Sequence, residues 1–291
     1  MKEITVISGK GGTGKTSITA TLADLINDLV ITDCDVDAAN LALILKSENK
    51  EKVEFIGGKK AQIDNSKCTS CGKCVEVCEF NSISVIDDVY NVKPFSCEGC
   101  GACYHFCPSD AILFEDVVNG NYFVDTTKDR DFYHAELYPG EENSGKLVVT
   151  LKNKAKRSVQ DGRGKIVLND GSPGTGCAVI ASISGSDYVV LVTEPTFSGL
   201  HDLERVVSLC RRFEMKMGIC INKFDINDDM TKKICDFAKK QNIEVISKLP
   251  FSKDFVYSMI QGVSVYEMTE NLLIKKEFDN MCKSILKSLE E

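Results

Sequence analysis

Ile4-Thr5-Val6-Ile7-Ser8-Gly9-Lys10-Gly11-Gly12-Thr13-Gly14-Lys15-Thr16-Ser17 is the stretch on which the fold turns. A short apolar run leads into a glycine-rich loop, after which Ile18, Leu22, Leu25 and Ile26 recur at helical spacing. Strand, loop and helix are the context that the pattern G-x₄-G-K-[ST] requires. Glycines in the loop let backbone amides close around phosphate oxygens, and the following helix places its positive end beneath them. Gly9–Ser17 is therefore the expected nucleotide loop. Lys15 should reach the β- and γ-phosphates and Thr16 should ligate Mg²⁺. The pattern predicts an α/β, doubly wound P-loop NTPase domain.

Further along, other strands end on polar residues. Leu29–Thr32 delivers Asp33-Cys34-Asp35-Val36-Asp37 at a carboxyl end, where ligands of open α/β sheets bind. Asp33 is a candidate for the Mg²⁺ shell, Asp37 the expected cap of a helix over 38–45, and Cys34 a small buried side chain. Lys165–Asn169 is an apolar run closing on Asp170, which should hold Mg²⁺ through water. Gly171–Gly176 follows, with the Gly174 amide placed to sense a γ-phosphate. Met217–Ile221 closes on Asn222-Lys223-Phe224-Asp225, where an Asn amide can read an adenine edge. N-K-x-D also serves guanine, so this string alone leaves the base open. Leu249-Pro250-Phe251 is the loop expected to flank it.

Between the second and later strands lies Cys68-Thr-Ser-Cys71-Gly-Lys-Cys74-Val-Glu-Val-Cys78, repeated as Cys97-Glu-Gly-Cys100-Gly-Ala-Cys103-Tyr-His-Phe-Cys107-Pro108. Each half is C-x₂-C-x₂-C-x₃-C, and the offset is 29 at every cysteine. Three cysteines at x₂ spacing wrap one face of a [4Fe–4S] cube, and the fourth points to the neighbouring cube. Cluster one is assigned to Cys68, Cys71, Cys74 and Cys107, and cluster two to Cys97, Cys100, Cys103 and Cys78. Zinc prefers two C-x₂-C pairs parted by a long loop, and disulfides do not suit a chain without a secretory signal. The block resembles bacterial two-cluster ferredoxins over roughly 61–116, with Glu79 standing where the second half has Pro108.

Lys10-Gly-Gly-Thr-Gly-Lys15-Thr16 resembles the deviant Walker A loop of the MinD superfamily, the class of MinD, ParA, Mrp and the nitrogenase iron protein, a SIMIBI-type fold. That resemblance implies ATP, a homodimer (or a heterodimer with a related chain) and a Lys10 that crosses to the partner's nucleotide. It gives Asp35 the task of orienting the attacking water. Lys10, Lys15, Asp35 and Asp170 are then the catalytic set. Asp170-Gly-Ser-Pro-Gly-Thr-Gly176 resembles the D-x-x-P-G-T-G of Mrp-type relatives, and Cys177 follows it where the nitrogenase iron protein has a cluster cysteine. Glu194-Pro195-Thr196 resembles the T-E-P-T segment of the family.

The expected organisation is an ATPase split into 1–60 and 117–291, with an inserted α+β ferredoxin-like domain at 61–116. Fourteen cysteines without a leader imply a reducing cytoplasm. A net charge of −8 argues against a nucleic-acid surface. In the tail 272–289, Phe278, Met281, Ile285, Leu286 and Leu289 share a face whose lysines are offset by acids, which favours packing on the sheet over a membrane. The sequence thus points to an ATPase that couples dimer closure to low-potential electron transfer toward a redox partner. The alternative is an Fe–S or metallocofactor carrier of Mrp type.

Overall fold

A computed structural model describes residues 1–290. The chain divides into two compact units. The first comprises 1–52, 122–136 and 144–290, and the second comprises 53–121 and 137–143. Among the described residues there are eleven strands: β1 (Lys2–Ser8), β2 (Leu29–Asp33), β3 (Glu48–Ile63), β4 (Ile83–Ile86), β5 (Val89–Val92), β6 (Ile112–Thr127), β7 (Arg130–Leu137), β8 (Ile166–Pro173), β9 (Tyr188–Thr193), β10 (Met217–Asn222) and β11 (Glu244–Leu249).

The large sheet has the order β11-β10-β9-β1-β8-β2-β7-β6-β3, and the pairings from β11 through β2 to β7 are parallel. Its central strands are buried along almost their whole length because both faces are covered, the polar Glu3, Thr5, Thr32 and Asn169 included. Alternation along β9 shows this. Tyr188, Val190 and Val192 join one core cluster, while Val189 and Leu191 join another. The first cluster receives the helix Lys15–Leu25 and the tail helix Leu272–Glu290; the second receives the helices Phe197–Arg212 and Asp228–Lys240. The first unit is thus doubly wound, and every site loop lies past a strand's carboxyl end.

In the second unit the sequence repeat becomes a structural one. Gly72 and Gly101 both have φ 76° and begin the short helices Lys73–Glu76 and Ala102–His105. Asn81 and Asp110 share the left-handed region, at φ 50° and 49°. The Asp64 amide donates to Ala111 O and the Lys93 amide to Ser82 O, both at 2.7 Å. Those two bonds are exchanged by the 29-residue offset, so each half braces the other.

Several local expectations change. The helix expected over 38–45 spans only Leu41–Leu45. Its first amides, Asn40 N and Leu41 N, donate to Asp33 Oδ2, so Asp33 and not Asp37 anchors that end. The loop expected at 46–51 and the linker at 57–60 fall largely within β3. Residues 117–160 contain the rest of β6, β7 and the helix Ser144–Gln160. The tail helix buries Ile274, Phe278, Met281, Cys282, Ile285 and Leu289 beside Ile246 and Leu249 of β11, whereas Leu286 is partly exposed. It therefore packs on the sheet. Among the described residues no helix is long and apolar enough to cross a membrane.

Candidate functional site

The first unit holds an open cleft of about 640 Å³ lined by Gly11–Ser17, Asp35, Asp37, Ser172, Pro173 and Cys177, among others. Its floor is the loop after β1. Gly14 has φ 91°, and a Cβ there would lie 2.4 Å from Asn222 Nδ2, so only glycine fits between loop and β10. Asn222 is buried. Its Nδ2 donates to Thr13 O at 2.8 Å and its Oδ1 accepts from Lys223 N at 2.9 Å. Nδ2 thus braces the phosphate loop and Oδ1 the amide of the next residue, each with one further hydrogen-bonding position left. Pro250 directly follows β11, and the Phe251 amide beyond it donates to Asp225 Oδ1 at 2.7 Å.

Lys15 is almost fully buried, 3.0 Å from Asp170 Oδ1 and 3.7 Å from Asp35 Oδ2. Burial works against its charge, but Asp170, Asp33 and Asp35 outweigh burial and hold its pKa above the ordinary lysine value. Asp35 is raised, first by burial, with Lys15 opposing. Asp170 Oδ1 also accepts from Thr19 Oγ1 at 2.7 Å, while its buried Oδ2 has no hydrogen-bond partner among the described residues. An unsatisfied buried carboxylate oxygen beside the phosphate loop fits a divalent cation's water shell, together with the Thr16 hydroxyl. The Gly174 amide donates to Ser8 O at 2.8 Å, so the group expected to sense phosphate is engaged with β1 here.

Lys10 behaves differently from Lys15. It does not line the cleft; its Nζ lies 2.6 Å from Glu194 Oε1 and 3.0 Å from Ser198 Oγ. The T-E-P-T pattern by itself gives Glu194 no role. The signal that marks it is a carboxylate placed immediately after a fully buried strand.

The second unit holds two further cavities of similar size. One is lined by Cys68, Cys71, Cys74 and Cys107; the other by Cys78, Cys97, Cys100 and Cys103. Each takes three cysteines from one half of the repeat and the fourth from the other. The fourth cysteines are solvated by amides: Ser82 N donates to Cys78 Sγ at 3.4 Å and Ala111 N to Cys107 Sγ at 3.3 Å. Burial pushes both thiols up, yet these and neighbouring hydrogen bonds prevail and lower their pKa. Cys74 and Cys103 are instead raised, first by burial and also by the charge of neighbouring cysteines in the same cavity. Among the described residues no group of three or more His, Cys, Asp or Glu converges on a single ion. Four sulfurs spread around an apolar cavity suit a body with several metal corners, and amide donors to sulfur match cluster ligation. Each cavity gathers four thiols, the number and type of ligand that a four-iron cluster takes.

A family model described as the CobQ/CobB/MinD/ParA nucleotide binding domain matches residues 4–265. The uncharacterized protein MJ0578 of Methanocaldococcus jannaschii is 35% identical over 232 residues, 78% of this chain and 79% of that protein. The septum site-determining protein MinD of Thermotoga maritima is 23% identical, over 97% of this chain and 87% of its own. Among solved structures, MinD with Mg-ADP from Pyrococcus horikoshii gives a TM-score of 0.58 at 14% identity, covering 98% of this chain and 95% of that one. A McdA–ATP complex from Cyanothece gives 0.58 at 14%, covering 98% and 96%. These structural likenesses show the fold.

Proposed function

The chain belongs to the CobQ/CobB/MinD/ParA nucleotide-binding family, and from that premise we propose that it is an ATP-hydrolysing iron–sulfur protein in which nucleotide-driven closure of a dimer gates electron transfer. The observation that carries this reading is the crossed lining of the two cysteine cavities, three plus one in each, on the same chain as a complete phosphate loop.

The chain's own residues do the following in this reading. Amides of Gly11–Thr16 bind phosphate oxygens, and Lys15 exchanges its carboxylate partners for the β- and γ-phosphates. Asp35 orients the attacking water. Asp170 and Thr16 hold the cation, which supplies charge neutralisation at the phosphates when bound. Release of the Gly174 amide from Ser8 O frees it for the γ-phosphate, coupling nucleotide state to the segment after β8. In the second unit Cys68, Cys71, Cys74 and Cys107 hold one cluster, and Cys97, Cys100, Cys103 and Cys78 the other. Bound clusters supply one-electron storage at low potential. Ser82 N and Ala111 N tune the sulfurs that would carry that charge.

Anaerobic purification should yield close to eight irons per chain, and Mg-ATP should shift the cluster potential or the rate of reduction of an added acceptor. Zinc in place of iron, or redox behaviour indifferent to Mg-ATP, defeats the reading. A second reading, a carrier of Fe–S or metallocofactor units, is favoured by Cys177, an exposed thiol lining the nucleotide cleft. Transfer of labelled iron to an apo-acceptor that is lost in Cys177→Ala would select it. Self-association, a redox partner and a cytoplasmic location belong to the proposal as well.

A further inference from the structure

The two cysteine cavities share one scaffold, and the 29-residue offset exchanges their linings almost residue by residue. Ile63, Ala111 and Ile112 in the cavity of Cys68 answer to Val92, Ser82 and Ile83 in the cavity of Cys97. Gly72 and Gly101 open matching helices at the same φ of 76°. One cysteine is exposed in each, Cys71 in the first cavity and its counterpart Cys100 in the second, and the other three are half-buried. Backbone geometry and access of water therefore do not tell the two apart.

Charge does. Lys73 lines the first cavity, and its counterpart in the second is Ala102. Glu98 lines the second, and its counterpart in the first is Thr69. Among the described residues no other Lys, Arg, Asp or Glu lines either one. Both exchanges act in one direction, positive toward the first cavity and negative toward the second. Neighbouring charges do not cancel this. Lys73 Nζ meets Glu76 Oε2 at 3.0 Å, but Glu76 is off the lining and more exposed, and such a surface pair is weak. Glu79 follows Cys78 and Asp110 lies three past Cys107, one acid to each cavity. Beyond Glu98 a polar pocket is also lined by Glu141, Glu142, Lys59 and Lys60. Lys60 is 2.6 Å from Glu141 and Lys59 is 3.3 Å from Asp116, which leaves Glu98 and Glu142 in excess.

A hydroxyl adds to the asymmetry. Ser109 Oγ lies 3.6 Å from Cys107 Sγ, close enough to donate to a thiolate, and its counterpart in the second cavity is Phe80. Ser82, on the second lining, donates its hydroxyl to Ser96 O instead.

We propose that these differences fix an order of reduction: the site of Cys68, Cys71, Cys74 and Cys107 takes the first electron, and the site of Cys78, Cys97, Cys100 and Cys103 is the stronger reductant. This rests on the two-cluster reading above and gives it a direction. Each electron adds one negative charge where it settles. Lys73 and the Ser109 hydroxyl favour that charge at the first site, and Glu98 opposes it at the second. A low-potential one-electron donor that reduces the second site is oxidised by one electron. The second site returns to its oxidised state as that electron passes to the first.

The test uses the full chain, purified anaerobically, titrated stepwise with dithionite and read by low-temperature electron paramagnetic resonance. Cys97→Ser and Cys68→Ser each keep one complete set of four sulfurs and supply the reference spectra of the first and second sites. At half reduction the wild-type spectrum should match the Cys97→Ser reference. Two substitutions that touch no ligand decide the order without those references. Lys73→Ala should lower the upper of the two midpoint potentials, and Glu98→Gln should raise the lower one. Each should change the ratio of the two reduced forms by on the order of tenfold, the scale of one unit charge a few ångströms away at a solvated rim. Lys73→Arg should keep the wild-type order. Equal filling of the two sites, or a Lys73→Ala change that falls on the lower potential, overturns the order. Potentials that ignore both substitutions overturn the part given to Lys73 and Glu98. A chain that binds zinc or no iron removes the two-cluster reading and the order with it, whereas eight irons reduced in the opposite sequence remove the order alone.

Discussion

Asp33 and Asp170 sit in register on the adjacent parallel strands β2 and β8, and both are completely buried. The Asp33 carboxyl is pushed up to about 7, first by burial and then by Asp170, against the pull of Lys15 and of the Leu41 and Asp35 amides. Unfolded, it titrates near 3.8. Between those values the folded chain keeps a proton that the unfolded chain has lost. The stability from this group is therefore full below about pH 4 and drains away as pH rises to about 7. Nucleotide-free Asp33→Asn should lose this dependence. The Tm of wild type relative to the variant should fall across the window and level off above it. A difference that stays flat or climbs with pH contradicts the assignment.

Lys15 is the cation that makes three neighbouring carboxylates tolerable. Lys15→Met leaves Asp170 and Asp35 unpaired, and breaking a buried pair from one side costs about 3 kcal/mol. The same change should slow ATP hydrolysis by on the order of 100-fold, as for loss of a charge-stabilising donor. Lys15→Met/Asp170→Asn should recover part of the stability and none of the hydrolysis. Chemical denaturation and phosphate release read the two effects separately. Full recovery of activity in the double variant would rule out the role given to both residues.

Asn222 separates bracing from base reading. Its amide holds Thr13 O, so Asn222→Ala loosens the phosphate loop under any nucleotide. We expect ATP and GTP affinities to weaken in parallel, by about tenfold for one lost buried hydrogen bond. A changed ATP/GTP ratio in equilibrium binding would instead assign the side chain to the base.

The legible parts of this chain are those where chemistry dictates spacing. The phosphate loop and the cysteine repeat are such strings, and they locate the cleft and the two cavities. The region around Gly57–Lys60 was hidden by its own composition, because a glycine pair followed by two lysines reads as a break. It lies within β3 because tertiary partners override that bias. Asn119 Oδ1 accepts from the Gly57 and Gly58 amides, and Lys60 pairs with Glu141 at 2.6 Å. β6 was obscured by polar residues in buried positions: Asn119, Asn121 and Asp125 interrupt the apolar alternation that marks a strand. Asp125 Oδ2 accepts from Ser47 Oγ at 2.6 Å, a partner 78 residues away, and meets His134 Nε2 at 2.9 Å, while its buried Oδ1 has no hydrogen-bond partner among the described residues. Glu194 has no role legible in the sequence for the same reason, since its partners Lys10 and Lys223 come from loops after β1 and β10.

The crossed cavities make a prediction that sequence proximity would get backwards. Cys107 lies in the second half of the repeat, yet it lines the cavity of Cys68, Cys71 and Cys74. Cys78 lies in the first half and lines the cavity of Cys97, Cys100 and Cys103. Suppose each half instead closed on its own fourth cysteine. Cys107→Ser would then damage the same cluster as Cys97→Ser. The crossed arrangement requires Cys107→Ser to resemble Cys68→Ser, and Cys78→Ser to resemble Cys97→Ser. Each substitution should lower bound iron toward half, because the other cavity keeps all four sulfurs. The reduced variants, compared by low-temperature electron paramagnetic resonance, should fall into those two pairs with distinct spectra. Because Ser82 N and Ala111 N donate to the two crossing sulfurs, the remaining cluster should keep its amide donor and its midpoint potential should shift little. Pairing of Cys107→Ser with Cys97→Ser would overturn the assignment of all eight cysteines at once.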